Sequence, residues 1–200
     1  MAIIISDHNL TFIHIPKTAG SSIQEWLFNC TNCYQPKRSL HCTVEDIKER
    51  VSNIGTTFCV VRDPYDWAVS WYEYEKKHIS RRIEKIESGS IKNFKINEQK
   101  DNLSVLYEKK YELEKATFED FVKRINKPPQ IKWAKDVDII LRFEYLENDF
   151  KKIQKLIGCN LPLNKINPTI RSRTEEYYTP KLKKIIYKKY REDFDFLASL

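Results

Sequence analysis

Apolar positions fall in short blocks whose period changes along the chain. Residues 2–5 and 12–15 are near-continuous apolar runs. Runs of that length predict buried strands, the first at a sheet edge and the second central. Across 21–29 the apolar residues Ile23, Trp26 and Leu27 recur at helical spacing, which predicts the first helix. Thr43 reads as a helix cap, with Glu45 and Asp46 in the first turn of a helix reaching about Ser52. The run Thr-Thr-Phe-Cys-Val-Val at 56–61 has the β-branched, apolar character of a buried parallel strand, and an aromatic-rich helical pattern covers 65–77. A capped amphipathic helix is expected at 117–125, ended by Pro128-Pro129. A strand at 137–142 and a helix at 149–157 ended by Gly158 follow, then a last helix at 180–194 with Pro180 in its first turn. Strand-to-helix units with short connections imply an α/β fold, a parallel sheet with helices packed on it.

The stretch 78–115 differs, being dense in Lys, Arg, Glu and Asn with a break at Ser88-Gly89-Ser90. It reads as a helical insertion, either a solvated hairpin or a lid or acceptor-binding wall. Two hundred residues are enough for one domain spanning 1–200 with its own core. The formal charge of +7 suits an anionic partner, a nucleotide or acidic glycan included. Yet the 35 basic and 28 acidic residues are interleaved, with no finger or RNP sequence, so nucleic acid is not an expected partner. No apolar run approaches the ~20 residues of a membrane span. The first residues also lack the basic and apolar regions of a signal peptide, so a soluble, cytoplasmic chain without a membrane anchor is expected. Of the five cysteines, Cys30-x-x-Cys33 with His41 and Cys42 evokes zinc, but the ligands are bunched and no second CxxC answers the first. Free thiols are the simpler expectation.

Candidate chemistry concentrates in Pro16-Lys17-Thr18-Ala19-Gly20-Ser21-Ser22, between the strand at 12–15 and the first helix. A strand, a tight loop and a helix start form an anion cradle, because unpaired N–H groups and the positive end of the helix dipole point at one place. Lys17 adds a full charge, and Thr18, Ser21 and Ser22 add hydroxyl donors. Gly20 lets the backbone come close to an oxyanion. The nucleotide-binding loop G-x-x-x-x-G-K-[ST] places lysine after its second glycine, whereas Lys17 precedes the loop's only glycine.

A second anion site is written at Arg62-Asp63-Pro64. An arginine at the C-terminal end of a parallel strand stands where α/β folds bind ligands. Arg62 can grip a phosphate with two parallel hydrogen bonds, and Ser70, eight positions on, can add one more.

Pro-Lys-Thr-Ala-Gly-Ser-Ser after a strand resembles the 5′-phosphosulfate loop of the sulfotransferases, most closely the branch that includes the carbohydrate O-sulfotransferases. Arg62 and Ser70 match the pair that holds the donor's 3′-phosphate in that family. The segment Arg142-x-Glu144-x-Leu146 resembles one found late in its sheets. The resemblance covers most of 10–77 and, more loosely, 117–194, but not 78–115. It implies a P-loop-like sulfotransferase fold. It also implies transfer of a sulfuryl group from 3′-phosphoadenosine 5′-phosphosulfate (PAPS) to a hydroxyl or amine acceptor, carbohydrate foremost, leaving 3′-phosphoadenosine 5′-phosphate (PAP). In that reading Lys17 is catalytic, and residues 18–22, that is Thr18, Ala19, Gly20, Ser21 and Ser22, cradle the phosphosulfate. Arg62 and Ser70 hold the 3′-phosphate, Arg171 and Arg173 close over the nucleotide, and no metal is required. Many animal relatives in the carbohydrate branch carry a Golgi membrane anchor, from which this chain departs.

Transfer to a hydroxyl calls for a base, and histidine suits neutral pH. His14 lies in a predicted buried strand, where a satisfied core role is expected; His8 has no motif, and His78 opens the insertion. His41, in Leu40-His41-x-Thr43, resembles the catalytic histidine of the 2-O-sulfotransferase branch, with Glu45 or an acid of the insertion as the alternative base. Two other classes fit parts of the pattern. One is a kinase-like P-loop enzyme with Asp63 at magnesium, the other a non-catalytic anion-binding module.

Overall fold

The computed structural model describes residues 2–36, 41–88, 103–166 and 171–200. Lys37-Arg38, Leu40 and Gly89-Ser90, singled out in the sequence, lie outside the described residues.

In chain order the elements are β1 (Ala2–Ile5), β2 (Leu10–Ile13), α1 (Gly20–Cys30), β3 (Cys33–Tyr34), α2 (Val44–Lys48), β4 (Thr56–Val61), α3 (Pro64–Glu87) and α4 (Leu103–Lys115). Then come α5 (Phe118–Arg124), α6 (Ile131–Ala134), β5 (Ile139–Arg142), α7 (Leu146–Asp149), α8 (Lys151–Ile157), α9 (Pro180–Lys189) and α10 (Arg191–Ala198). The chain divides into two compact units, residues 1–67, 127–168 and 187–200 in the first and 68–126 with 169–186 in the second.

The first unit holds the sheet, ordered β3-β1-β2-β4-β5. β2, β4 and β5 are parallel, and β1 runs antiparallel between β2 and β3. The expected edge strand at 2–5 is therefore interior; the two-residue β3 that covers it is too short to leave a periodic signal. Side chains alternate between two cores. Ile3, Ile5, Phe12, Phe58 and Val60 pack with Trp26, Leu27, Phe150 and Ile153 on one face. Ala2, Ile4, Ile13, Cys59 and Val61 pack with Val44, Ile47 and Trp133 on the other. Burial on both faces is why these strands read as unbroken apolar runs.

Helix starts follow their chemistry. Thr43 and Thr117 each form a capping box, with Asp46 and Asp120 respectively, as the cap residues suggested. Gly158 closes α8 in the left-handed conformation, φ 73°. The expected single helix at 180–194 is broken at Tyr190. That side chain is buried, its hydroxyl donates to the Lys127 carbonyl (3.2 Å), and its ring meets Trp67 edge-on. Cys30 and Cys159 form a disulfide, which corrects the expectation of five free thiols and removes Cys30 from any zinc set.

In the second unit α3 runs on well past 77, because the shift to charged residues there changes composition without adding a helix breaker. Tyr72, Phe118, Phe121 and Tyr177 form an aromatic core, and Tyr177 donates to Glu73 (2.9 Å). A cavity of about 790 Å³ within this unit is walled by Tyr74, His78, Lys109, Tyr111 and Arg124. No described helix is long and apolar enough to cross a membrane.

Candidate active site

The Lys17 loop connects the end of β2 to the start of α1 in a shape L-residues rarely take. Lys17 has φ 68° and Ala19 φ 65°, both left-handed and neither a glycine. Such residues cost on the order of 1–3 kcal/mol each and persist only where their surroundings over-determine them. Three hydrogen bonds do so here. Trp67 Nε1 donates to the Pro16 carbonyl (2.8 Å), Arg62 Nη1 to the Lys17 carbonyl (2.8 Å) and Thr18 Oγ1 to the Ile15 carbonyl (2.8 Å). The Thr18 hydroxyl proton is thus used inside the loop, leaving Thr18 its backbone N–H for a ligand. Gly20 has a further reason to be glycine: a Cβ there would stand 1.9 Å from His14 Nε2.

Ile23 N to Ala19 O (3.1 Å) is the first bond of α1, so the amides of Gly20, Ser21 and Ser22 have no acceptor within the helix. No side chain caps this end and no acid lies in its first turn. Ser21 is exposed, while Ser22 is buried and its hydroxyl accepts the Ile166 amide (3.0 Å). The mouth of α1 therefore presents amide donors with no carboxylate among them.

Arg62 is held on every side. Its Nε donates to Asp66 Oδ2 (2.6 Å), its guanidinium carbon lies 3.9 Å from the centre of the Phe143 ring, and Nη1 reaches Lys17 as above. The Gln130 side chain clamps its main chain, accepting from Arg62 N (2.9 Å) and donating to Arg62 O (2.8 Å). Asp63 caps α3 by accepting the Asp66 amide (2.9 Å) and donates its own amide to Glu144 (2.8 Å). Burial raises the pKa of both the Asp63 and Glu144 carboxyls. Ser70, Arg171 and Arg173 belong to the second unit. Ser70 is buried on α3, and Arg171 Nη1 donates to Thr174 Oγ1 (3.1 Å).

His41 also sits at a left-handed backbone position, φ 53°. Trp133 Nε1 fixes its carbonyl (2.8 Å). Its ring lies 5.7 Å, centre to centre, from the His14 ring. Partial burial holds the His41 pKa below the ordinary value, while the nearby main chain of His14 works the other way. Of the four non-glycine residues with positive φ among those described, three, Lys17, Ala19 and His41, line this one corner. His14 departs from expectation. It follows β2 rather than lying in it, and its Nδ1 is buried without a hydrogen-bond partner among the described residues. Burial pushes its pKa down to about 3, so it stays neutral. His8 pairs with Asp7, and His78 packs against Tyr74 in the second unit.

A family model described as the sulfotransferase family matches residues 1–198. The chain belongs to the sulfotransferase family. It is therefore a transferase acting on sulfuryl groups, and its mixed, mostly parallel sheet with flanking helices is the family's α/β architecture. Membership sets aside the kinase-like reading, and Asp63 in this sulfotransferase is engaged in capping α3. No curated protein matches the chain.

The candidate site also contains residues the sequence did not single out, namely Trp67, Gln130, Trp133 and Phe143. Each acts through a main-chain atom or a ring face brought near by the fold, and such contacts leave no spacing pattern. His14 had a local signal, a polar residue inside an apolar run directly before the loop.

Proposed function

We propose that this sulfotransferase takes its sulfuryl group from PAPS and places it on a hydroxyl or amine of a small-molecule or glycan acceptor, a carbohydrate first of all. The observation that carries the donor assignment is the hydrogen bond from Arg62 to the Lys17 carbonyl. It brings together a loop suited to one anionic group and an arginine suited to another, as a nucleotide anionic at two positions requires. The uncapped start of α1, with free amides and no acid in its first turn, fits such a ligand.

In this reading Lys17 and the amides of Thr18, Ala19, Gly20, Ser21 and Ser22 hold the 5′-phosphosulfate. Arg62 and Ser70 hold the 3′-phosphate, and Arg171 and Arg173 cover the nucleotide. PAPS supplies an activated sulfuryl group whose departure leaves negative charge on the 5′-phosphate oxygen. The Lys17 ammonium and the fixed amides neutralise charge at that place, the preorganised stabilisation that most lowers such barriers. His41 takes the acceptor's proton. Burial favours the neutral imidazole, one of whose ring nitrogens keeps the lone pair that accepts the proton. The second unit's cavity, with Tyr74 and Tyr111 beside charged side chains, supports placing the acceptor wall within 78–115.

The test is transfer of radiolabelled sulfate from PAPS across a panel of glycans, phenols and amines, with calorimetric titration of PAP and ATP. The expected result is transfer to a hydroxylated glycan, and PAP binding without magnesium and in preference to ATP. Absence of PAP binding overturns the reading.

A further inference from the structure

Gln130 is 1 % exposed and directly precedes α6. Its side-chain amide lies against the main chain of Arg62, the first residue beyond β4, as a neighbouring strand would. Oε1 accepts the Arg62 amide and Nε2 donates to the Arg62 carbonyl. Gln130 is itself fixed from behind. Its backbone N–H donates to Asp193 Oδ2 (2.9 Å), and the Ile131 N–H donates to Asp193 Oδ1 (2.8 Å). Asp193 is fully buried in the first turn of α10. An unbroken chain of hydrogen bonds thus runs from α10 through Asp193, Gln130 and Arg62 to the Lys17 carbonyl.

We propose that Gln130, anchored by Asp193, is the positioning residue that sets Arg62 for the donor's 3′-phosphate. The inference rests on the assignment of Arg62 to that phosphate. A guanidinium grips phosphate through a planar fork, so its hold depends on where its backbone is placed more than a point charge would. Fixing the Arg62 main chain on both its amide and its carbonyl removes the freedom that binding otherwise has to suppress. A purely structural glutamine would affect folding and all ligands alike. A positioning glutamine affects only the part of affinity that the 3′-phosphate contributes.

The experiment measures dissociation constants of PAP and of adenosine 5′-phosphate, which lacks the 3′-phosphate, for wild type, Gln130→Met and Gln130→Glu. Wild type is expected to prefer PAP strongly. Gln130→Met, which keeps length but neither hydrogen bond, is expected to narrow that preference about tenfold while changing adenosine 5′-phosphate binding less than about threefold. Gln130→Glu keeps an acceptor for the Arg62 amide and carries the test if the methionine variant fails to fold; a severalfold narrowing is expected. A folded variant with the wild-type preference intact overturns the inference alone. A wild type that does not distinguish the two nucleotides overturns the Arg62 assignment and the inference with it.

Discussion

Arg62 Nη1 lies 2.8 Å from the main-chain oxygen of Lys17, so the two candidate anion-binding motifs are tied directly to each other. The same guanidinium is bound to Asp66 and lies over the Phe143 ring. A lysine at 62 keeps one charge but loses the planar fork, and cannot serve Asp66, Lys17 and a phosphate together. Arg62→Lys is expected to weaken PAP binding by roughly ten- to a hundredfold in a calorimetric titration. Unchanged PAP affinity means that Arg62 is no phosphate ligand.

Lys17 tests the cradle from the other side. Its left-handed backbone is held through the carbonyls of Lys17 and Pro16. Alanine meets the same backbone cost at φ 68°, so Lys17→Ala is expected to leave the melting temperature nearly unchanged. Turnover is expected to fall by roughly a hundredfold or more, the usual consequence of removing a donor aimed at developing charge. A large loss of stability with little loss of rate assigns Lys17 a structural role.

The proposed proton removal by His41 predicts a pH profile with a definite sign. Only the neutral ring accepts a proton, and burial lowers its pKa from 6.5. The lowered pKa is that of the free enzyme, which kcat/KM for PAPS reports, so that is the quantity to measure. That quantity is expected to rise with pH along one acid limb whose midpoint lies below 6.5, and to stay level above it. His41→Ala is expected to remove the limb and to cost roughly a hundredfold or more in rate. A limb that survives the substitution belongs to another base, with Glu45 next in line.

The parallel part of the sheet was legible in the sequence because strands buried on both faces must be apolar throughout; β4 was expected at 56–61 and forms at Thr56–Val61. Both helix caps were legible because Thr43 and Thr117 act on their own next turn. Pairing across the sheet was not, since β3 is two residues long and nothing local tells an interior β1 from an edge. The site divides in the same way. Lys17, Gly20 and Arg62 lie in local motifs, whereas Gln130 acts across 68 positions of sequence, through atoms that every glutamine carries.

Asp193 predicts a pH dependence of stability. Burial raises its pKa from 3.8 to about 6, although the Ile131 and Gln130 amides oppose the shift. A carboxyl raised in the folded state binds more protons there than in the unfolded chain. Its contribution is therefore most favourable below about 4, declines as pH rises, and is level above about 6. The full span is of order 3 kcal/mol at most. Other carboxyls act in the opposite direction, Asp138 and Asp149 being lowered by hydrogen bonds, so the comparison is with Asp193→Asn, in which their effects cancel. Urea unfolding at several pH values is expected to show the wild type losing ground against the variant between about pH 4 and 6. A difference that stays constant or grows with pH contradicts the assignment.

The Cys30–Cys159 bond ties the end of α1 to the residue after the Gly158 cap of α8, across 129 positions. Both cysteines pack against the core built on Trp26, Phe150 and Ile153, whereas Cys33, also at that core, is a free thiol. Closing so long a loop restricts the unfolded chain, and bonds of this kind contribute on the order of 2–5 kcal/mol. The bond lies at the opposite end of α1 from the cradle, an 11-residue helix or about 16 Å away, so its loss acts on stability rather than on chemistry. Dithiothreitol or Cys159→Ser is expected to lower the melting temperature while leaving kcat unchanged below it, and Cys33→Ser is expected to do neither. Alkylation of unreduced protein followed by mass spectrometry checks the bond itself. Finding Cys30 and Cys159 both alkylated means that the thiols are free, as they would be kept in a reducing compartment.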